Sequence, residues 1–252
     1  MEAEGHEYQF PHSMLTTLIS PLLIDRFDEL LERQIGRNYV LLFHARNGLY
    51  YILLYLKKRY GSSRIHMPKN ICGVVPLVSE KAHYKILYYT KKPKSVMKND
   101  IILCTDGRPR LHRGTFKIQD SAKTSIMPVK GFDFTMYSLN QDKPISAAYG
   151  GIVVVNNPRF LDFLEISNSL KPPGLNDELR AYATAIKWKI RSYKIIRMVG
   201  RMVLQATLGK ERAKGRFNPK GKFENLDRTL PKVSRKLAST HLVLNKLDKV
   251  SA

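Results

Sequence analysis

The sequence predicts an α/β domain with a mostly parallel sheet and flanking helices. Three observations carry that reading. Short apolar runs of strand length alternate with segments of helical period between residues 20 and 165. The runs are near-continuously apolar rather than alternating, as in strands covered on both faces. The chain of 252 residues, 43% hydrophobic and 10% aromatic, is long enough to bury a sizeable core.

In order, a helix is expected over Pro21 to Gln34, and a second follows Asn47, where Leu49 to Leu56 is apolar on nearly every side and must be buried. A strand is expected at Arg64 to Met67, then a helix over Ile71 to Ala82. Five further strands are expected at Lys85 to Tyr89, Ile101 to Cys104, Thr115 to Gln119, Asp133 to Leu139 and Gly151 to Asn156. Asn157-Pro158 opens a short helix to Glu165, Lys171-Pro-Pro-Gly174 reads as a linker, and a long helix is expected from Asn176 to Leu208.

Charge is uneven. The chain carries 43 Lys and Arg against 21 Asp and Glu, a net +22, and residues 187–252 alone hold 18 against 4, a balance of +14. A polyanionic partner or surface is therefore expected on the C-terminal side. Lys187, Arg191, Lys194, Arg197 and Arg201 form one stripe of a helical wheel, opposite Trp188, Ile195, Ile196, Val199, Met202 and Val203. Six more cations follow between Lys210 and Lys222. That pattern admits three readings: a helix packed on the core with a solvated face, peripheral docking on an anionic membrane, or nucleic-acid binding. Aromatic residues at base-stacking spacing are missing, which disfavours nucleic acid.

Two cysteines, Cys72 and Cys104, cannot build a disulfide scaffold or a Cys-based zinc site, and no metal is expected. The acidic start, Met-Glu-Ala-Glu-Gly-His-Glu, lacks the basic character of a secretory leader, so the cytoplasm is the expected compartment, at the inner membrane face if the basic stripe docks there.

Three local arrangements carry chemistry. His44-Ala-Arg-Asn-Gly48 leads into a buried helix whose first turn offers unpaired N–H groups to an anion, with Asn47 as a candidate cap; an ordinary Asn-Gly turn is the alternative. Lys117-Ile-Gln-Asp120 ends a strand in a carboxylate at the sheet edge where α/β proteins place ligands, or where the carboxylate simply caps a helix. Tyr137-Ser-Leu-Asn-Gln-Asp-Lys143 leaves a strand end with a hydroxyl and then an amine, and Ser146-Ala-Ala-Tyr-Gly-Gly151 after it is small enough to pack beneath a cofactor.

In this order the pieces resemble the DegT/DnrJ/StrS-type sugar aminotransferases, pyridoxal-phosphate (PLP) enzymes of the aspartate aminotransferase fold. The family's Ser-Gly-Arg-Ser/Thr-Ala-Leu looks like Ala45-Arg-Asn-Gly-Leu49, and its Val-Pro-Ala-Tyr-Thr-Cys looks like Met67-Pro-Lys-Asn-Ile-Cys72. Its Glu-Asp-Ala-Ala-Gln resembles Gln119-Asp-Ser-Ala-Lys123, its Phe-Ser-Phe-x-x-x-Lys resembles Tyr137 to Lys143, and its Gly-Gly-x-x-Val-x-Asn-(Asn/Asp) resembles Gly150 to Asn157. Lys232-Val-Ser-Arg-Lys-Leu-Ala-Ser-Thr-His-Leu-Val-Leu-Asn-Lys-Leu-Asp248 looks like a helix that follows a basic insertion in members acting on surface polysaccharides.

The resemblance implies the large domain of a fold type I PLP-dependent transferase, transferring an amino group from an amino-acid donor to a nucleotide-linked keto-sugar within a homodimer. It implies Lys143 as the catalytic, Schiff-base lysine and Asp120 as the partner of the ring nitrogen. Ser138 and the amides of Arg46 and Asn47 would hold the phosphate, Cys72 would lie against the ring, and Lys123 would sit beside the phenolic oxygen. Lys123 stands where the family has Gln or His, and Asn47 where it has Ser or Thr. Only 13 residues, Thr105 to Lys117, separate Cys104 from Ile118, fewer than the family places there. The expected organisation is an N-terminal arm (1–20), a PLP-binding large domain (21–170) and a basic helical extension (171–252), without the family's small C-terminal domain. A non-catalytic homologue of the same fold and a basic membrane- or nucleic-acid-binding protein are the competing functions.

Overall fold

The structure is a computed structural model and describes residues 13–90, 93, 96–105, 114–124, 126–127, 129–140, 143–193 and 226–250. Helix α1 (Met14–Leu18) is capped by Ser13, whose Oγ accepts the Thr16 N–H at 2.9 Å. A 3-10 turn (Ser20–Leu22) and α2 (Phe27–Ile35) replace the single helix expected over 21–34. Asp25 is the reason: its carboxylate accepts the Phe27 N–H at 3.1 Å, a side-chain turn that restarts the chain as α2.

The sheet follows as β1 (Tyr39–Leu42), α3 (Ala45–Tyr60), β2 (Arg64–Pro68), α4 (Val74–Lys81), β3 (Lys85–Tyr89), β4 (Ile101–Cys104), β5 (Phe116–Asp120), β6 (Phe134–Ser138) and β7 (Gly151–Val155). Spatial order is β1-β7-β6-β5-β4-β2-β3. The run from β3 to β6 is parallel, while β7 pairs antiparallel with both β6 and β1. The six expected strands are all present, and β1 joins them as an unanticipated edge.

Helices cover both faces. On one, Leu49, Ile52, Leu53 and Leu56 of α3 pack with Val40, Leu42, Ile118, Phe134, Met136 and Val153. Those four α3 residues are at most 1% exposed within the single chain, so their apolarity gives no reason for self-association. Tyr55 extends this layer, its hydroxyl donating to Asp162 at 2.7 Å.

Beyond β7 come a 3-10 helix (Pro158–Glu165), α5 (Ile166–Ser169), α6 (Leu175–Ser192) and α7 (Lys232–Val250). The other face is built by α2, α6 and α7, where Phe27, Leu31, Ala181, Ala185, Leu237 and Ala238 pack with Tyr137, Ile152 and Val154. The Glu178 carboxylate accepts the N–H groups of Lys232 and Val233 at 2.7 and 3.1 Å, capping α7 from α6. Arg228 pairs with Asp177, and Arg235 pairs with Asp25 and Asp28 at 2.6 Å each, tying α7 to α2.

Described helix α6 ends at Ser192; Lys194, Arg197, Arg201, their apolar counterparts from Ile195 to Val203 and the cations from Lys210 to Lys222 lie outside the described residues. No helix among the described residues is long and apolar enough to cross a membrane.

Candidate active site

Strand direction gathers the sequence motifs at one edge. β5 ends in Asp120, β6 ends in Ser138, β1 runs out into α3, and β7 enters opposite Ser138 through Gly151. Alternation along each strand puts Asp120 on the side of Phe116 and Ile118, and Ser138 on the side of Phe134 and Met136. Those residues belong to the α3 layer, so both polar ends lie on the face that α3 covers.

The start of α3 is set by packing. His44, extended at φ −145°, bridges to Gly150, and the helix begins at Ala45 rather than after Asn47. Asn47 is therefore inside the first turn and fully buried, not a cap, and its N–H already donates to the His44 carbonyl at 3.0 Å. Gly151 has no room for a side chain, because a Cβ there would overlap the Ala45 backbone.

The charges of Lys143 and Lys123 both act on Asp120. Burial pushes the Asp120 carboxyl above its usual range, against the Ala122 N–H, which donates to Oδ1 at 3.0 Å, and against the positive charges of Lys143 and Lys123. Lys143 is half-buried on a turn closed by its own N–H to the Asn140 carbonyl at 3.1 Å, whereas Lys123 is exposed. Ser138 is 8% exposed, and among the described residues its hydroxyl accepts a long contact from the Asn140 N–H at 3.5 Å. Flanking Asp120, Gln119 Oε1 and Ser121 Oγ are buried with no hydrogen-bond partner among the described residues. Cys72 is exposed on the segment that joins β2 to α4. No His, Cys, Asp and Glu cluster able to hold a metal ion occurs among the described residues.

Arg46 belongs to a neighbouring cleft of about 280 Å³ that also involves His44, Asn140, Tyr149, Lys187 and Trp188. Asp120, Ser138 and Lys143 are not among its lining, so the candidate residues divide between the carboxylate–lysine cluster and this cleft. Tyr149 is fixed by a 2.9 Å hydrogen bond between its hydroxyl and Thr184 and by ring contacts to Phe43 and His44 at 4.9 and 5.3 Å. Burial, with the Arg46 guanidinium beside it, pushes the His44 pKa down to about 3, which keeps the imidazole neutral at pH 7. The loop after Lys143 is anchored from α7: the Ser146 N–H donates to His241 Nδ1 at 3.1 Å, and the Tyr149 N–H donates to Ser234 Oγ at 3.2 Å. Sequence reading marked neither His44 nor Tyr149 as a ring-lined wall, because the partners that shape it come from α6 and α7.

No family model matches the sequence, and no curated protein matches it either. Solved structures match it by fold. The sugar aminotransferase CalS13 from Micromonospora echinospora superposes with a TM-score of 0.55 at 13% identity, covering 97% of this chain and 69% of that one. A GDP-4-keto-6-deoxymannose-3-dehydratase (ColD) with bound GDP-perosamine superposes at 0.55 with 11% identity, covering 94% of this chain and 68% of its own. The chain thus spans about two thirds of the length of these structures. It has the fold of the PLP-dependent fold type I aminotransferases, as the sequence resemblance implies.

Proposed function

We propose that this chain is a PLP-dependent aminotransferase that moves an amino group from an amino-acid donor such as glutamate onto a nucleotide-linked keto-sugar, in surface-polysaccharide synthesis. The observation that carries the reading is the carboxylate–lysine cluster of Asp120, Lys143 and Lys123 at the strand ends. Likeness in fold to a sugar aminotransferase and to a nucleotide-sugar dehydratase supports the substrate class.

The donor set fits PLP. A carboxylate held in a partly desolvated setting favours a protonated nitrogen opposite it, and the Asp120 carboxylate would keep the proton on the ring nitrogen. Ser138 Oγ and the N-terminal end of the 16-residue helix α3, where the Arg46 amide lies, would hold the phosphate. Ser121 Oγ, buried beside Asp120 and unpartnered among the described residues, is a further donor for that pocket. When bound, PLP supplies an electron sink for the electrons of the substrate's α C–H bond. Lys143 Nζ would hold the cofactor through its aldehyde, with water released, and would then carry the α-proton. Neutral His44 and the Tyr149 ring would close the Arg46 side against water.

A dimer and peripheral contact with anionic lipid, at the inner membrane face of the cytoplasm, belong to this proposal. Leu15, Leu22, Leu175 and Leu179, between 55% and 84% exposed on α1, the 3-10 turn and α6, offer apolar surface for self-association, which sedimentation would read. Lipid contact rests on the +14 balance of residues 187–252, and vesicle flotation at two salt concentrations reads it.

The test of activity is a single turnover. The protein is mixed with PLP and glutamate, and release of 2-oxoglutarate is followed together with conversion of the cofactor to its pyridoxamine form. Conversion supports an enzyme. Tight PLP binding without conversion would support the non-catalytic homologue instead.

A further inference from the structure

At the sheet edge opposite Asp120 and Ser138, we infer that a second cleft binds the phosphate groups of a small anionic metabolite, an anion of diphosphate size. The cleft measures about 290 Å³ and lies at the entry of β5 and β6, walled by Lys98, Asn99, Lys117, Asp133, Asn157 and Arg159. Along β5, Phe116 at this cleft and Asp120 at the candidate active site are roughly 13 Å apart at about 3.3 Å per residue, so the two are distinct.

Its charge points to an anion. Two cationic side chains, Lys98 and Arg159, stand at the cleft with one carboxylate, and that carboxylate is already occupied: Asp133 Oδ2 accepts the Lys117 N–H at 2.8 Å, and Oδ1 accepts Asn157 Nδ2 at 2.7 Å. Neither bond uses a cationic side chain, so the wall keeps a surplus of positive charge.

Its geometry is built in advance. The Arg159 guanidinium lies 4.9 Å from the centre of the Tyr60 ring and 5.5 Å from that of Phe160, contacts that hold it while leaving N–H groups for an oxyanion. Phe160 is 1% exposed, in the same aromatic cluster as Tyr60 and Phe116, so the platform beneath Arg159 is rigid. The lip beside Lys98 is pinned as well. Asn99, left-handed at φ 66°, donates its N–H to the Gly114 carbonyl at 2.8 Å and its Nδ2 to the Tyr60 carbonyl at 2.9 Å. A polymer phosphate backbone needs an extended basic track, whereas two cations at a small cleft suit one compact ligand.

Isothermal titration of inorganic pyrophosphate into the full chain tests this, with wild type, Lys98→Gln, and the double variant Lys98→Gln/Arg159→Gln compared at one low salt concentration. Wild type should bind, and the double variant at least tenfold more weakly. Lys98 is exposed, so Lys98→Gln alone should keep the wild-type melting temperature and still bind several-fold more weakly, which separates lost binding from lost folding. No binding to wild type, or undiminished binding in the double variant, would each overturn the assignment.

Discussion

Gly151 lies against Ala45 with no space between them for even a methyl group: a Cβ on Gly151 would overlap the Ala45 backbone nitrogen and the His44 carbonyl carbon. The contact seats the first turn of α3 on the start of β7, directly opposite Ser138. Because backbone cannot swing aside as a side chain can, Gly151→Ala should shift the helix start and lower stability by about 1–3 kcal/mol, the usual cost of overpacking. Urea unfolding measures the stability, and PLP titration should show weakened affinity. Unchanged values in both would mean the seat is not needed.

Asp120 should trade stability for function. Its carboxyl titrates above the usual range because burial outweighs the Ala122 N–H and the two lysines. The folded state therefore holds the proton more tightly than the unfolded state, and this group's contribution to stability falls as pH rises through that raised value. Above that raised value the ionised carboxylate is a net cost in the cofactor-free protein. Asp120→Asn should then melt at a higher temperature at pH 7 and lose that advantage in acid, while the glutamate half-reaction slows by about 100-fold or more. Differential scanning calorimetry at both pH values reads the first part; a lower melting temperature at pH 7 contradicts it.

His44 gives the opposite sign. Its folded pKa is pushed down to about 3, below the value near 6.5 of a free imidazole, so between these limits the unfolded state binds a proton that the folded state refuses. Stability should fall as pH drops through that window, by at most about 1.4 kcal/mol per pH unit from this group. His44→Gln should show a shallower loss between pH 6.5 and 4.5 in urea unfolding, and an identical slope would place the imidazole in water.

Much of this architecture is legible in the chain itself. Ile101–Cys104 and Gly151–Val155 are buried at every position, which is why they read as continuous apolar runs, and their bounds fall within a residue of expectation. β1 is not legible, since Tyr39–Leu42 is four residues long with buried positions only at Val40 and Leu42, too short to establish a period. Nor does local pattern reveal that β7 runs antiparallel, because that depends on Ser138 finding Gly151 and Leu42 finding Gly151 from the other side. The site divides in the same way. Asp120, Ser138 and Lys143 stand out as polar groups at the ends of apolar strands. The wall around Tyr149 does not, because it depends on Thr184, 35 residues away, and its loop depends on His241, 95 residues from Ser146.

Two lysines act on the Asp120 carboxylate through their charge, and the proposed function requires Lys143 rather than Lys123 to take the cofactor. The most direct measurement is to load the protein with PLP, remove the excess, reduce with borohydride and locate the pyridoxyl group by peptide mass spectrometry, in wild type, Lys143→Ala and Lys123→Ala. The account predicts one modified peptide carrying Lys143 in wild type and in Lys123→Ala, and none in Lys143→Ala, with the visible absorbance of the bound cofactor lost in that variant alone. A pyridoxyl group on Lys123, or an undiminished chromophore in Lys143→Ala, would contradict it.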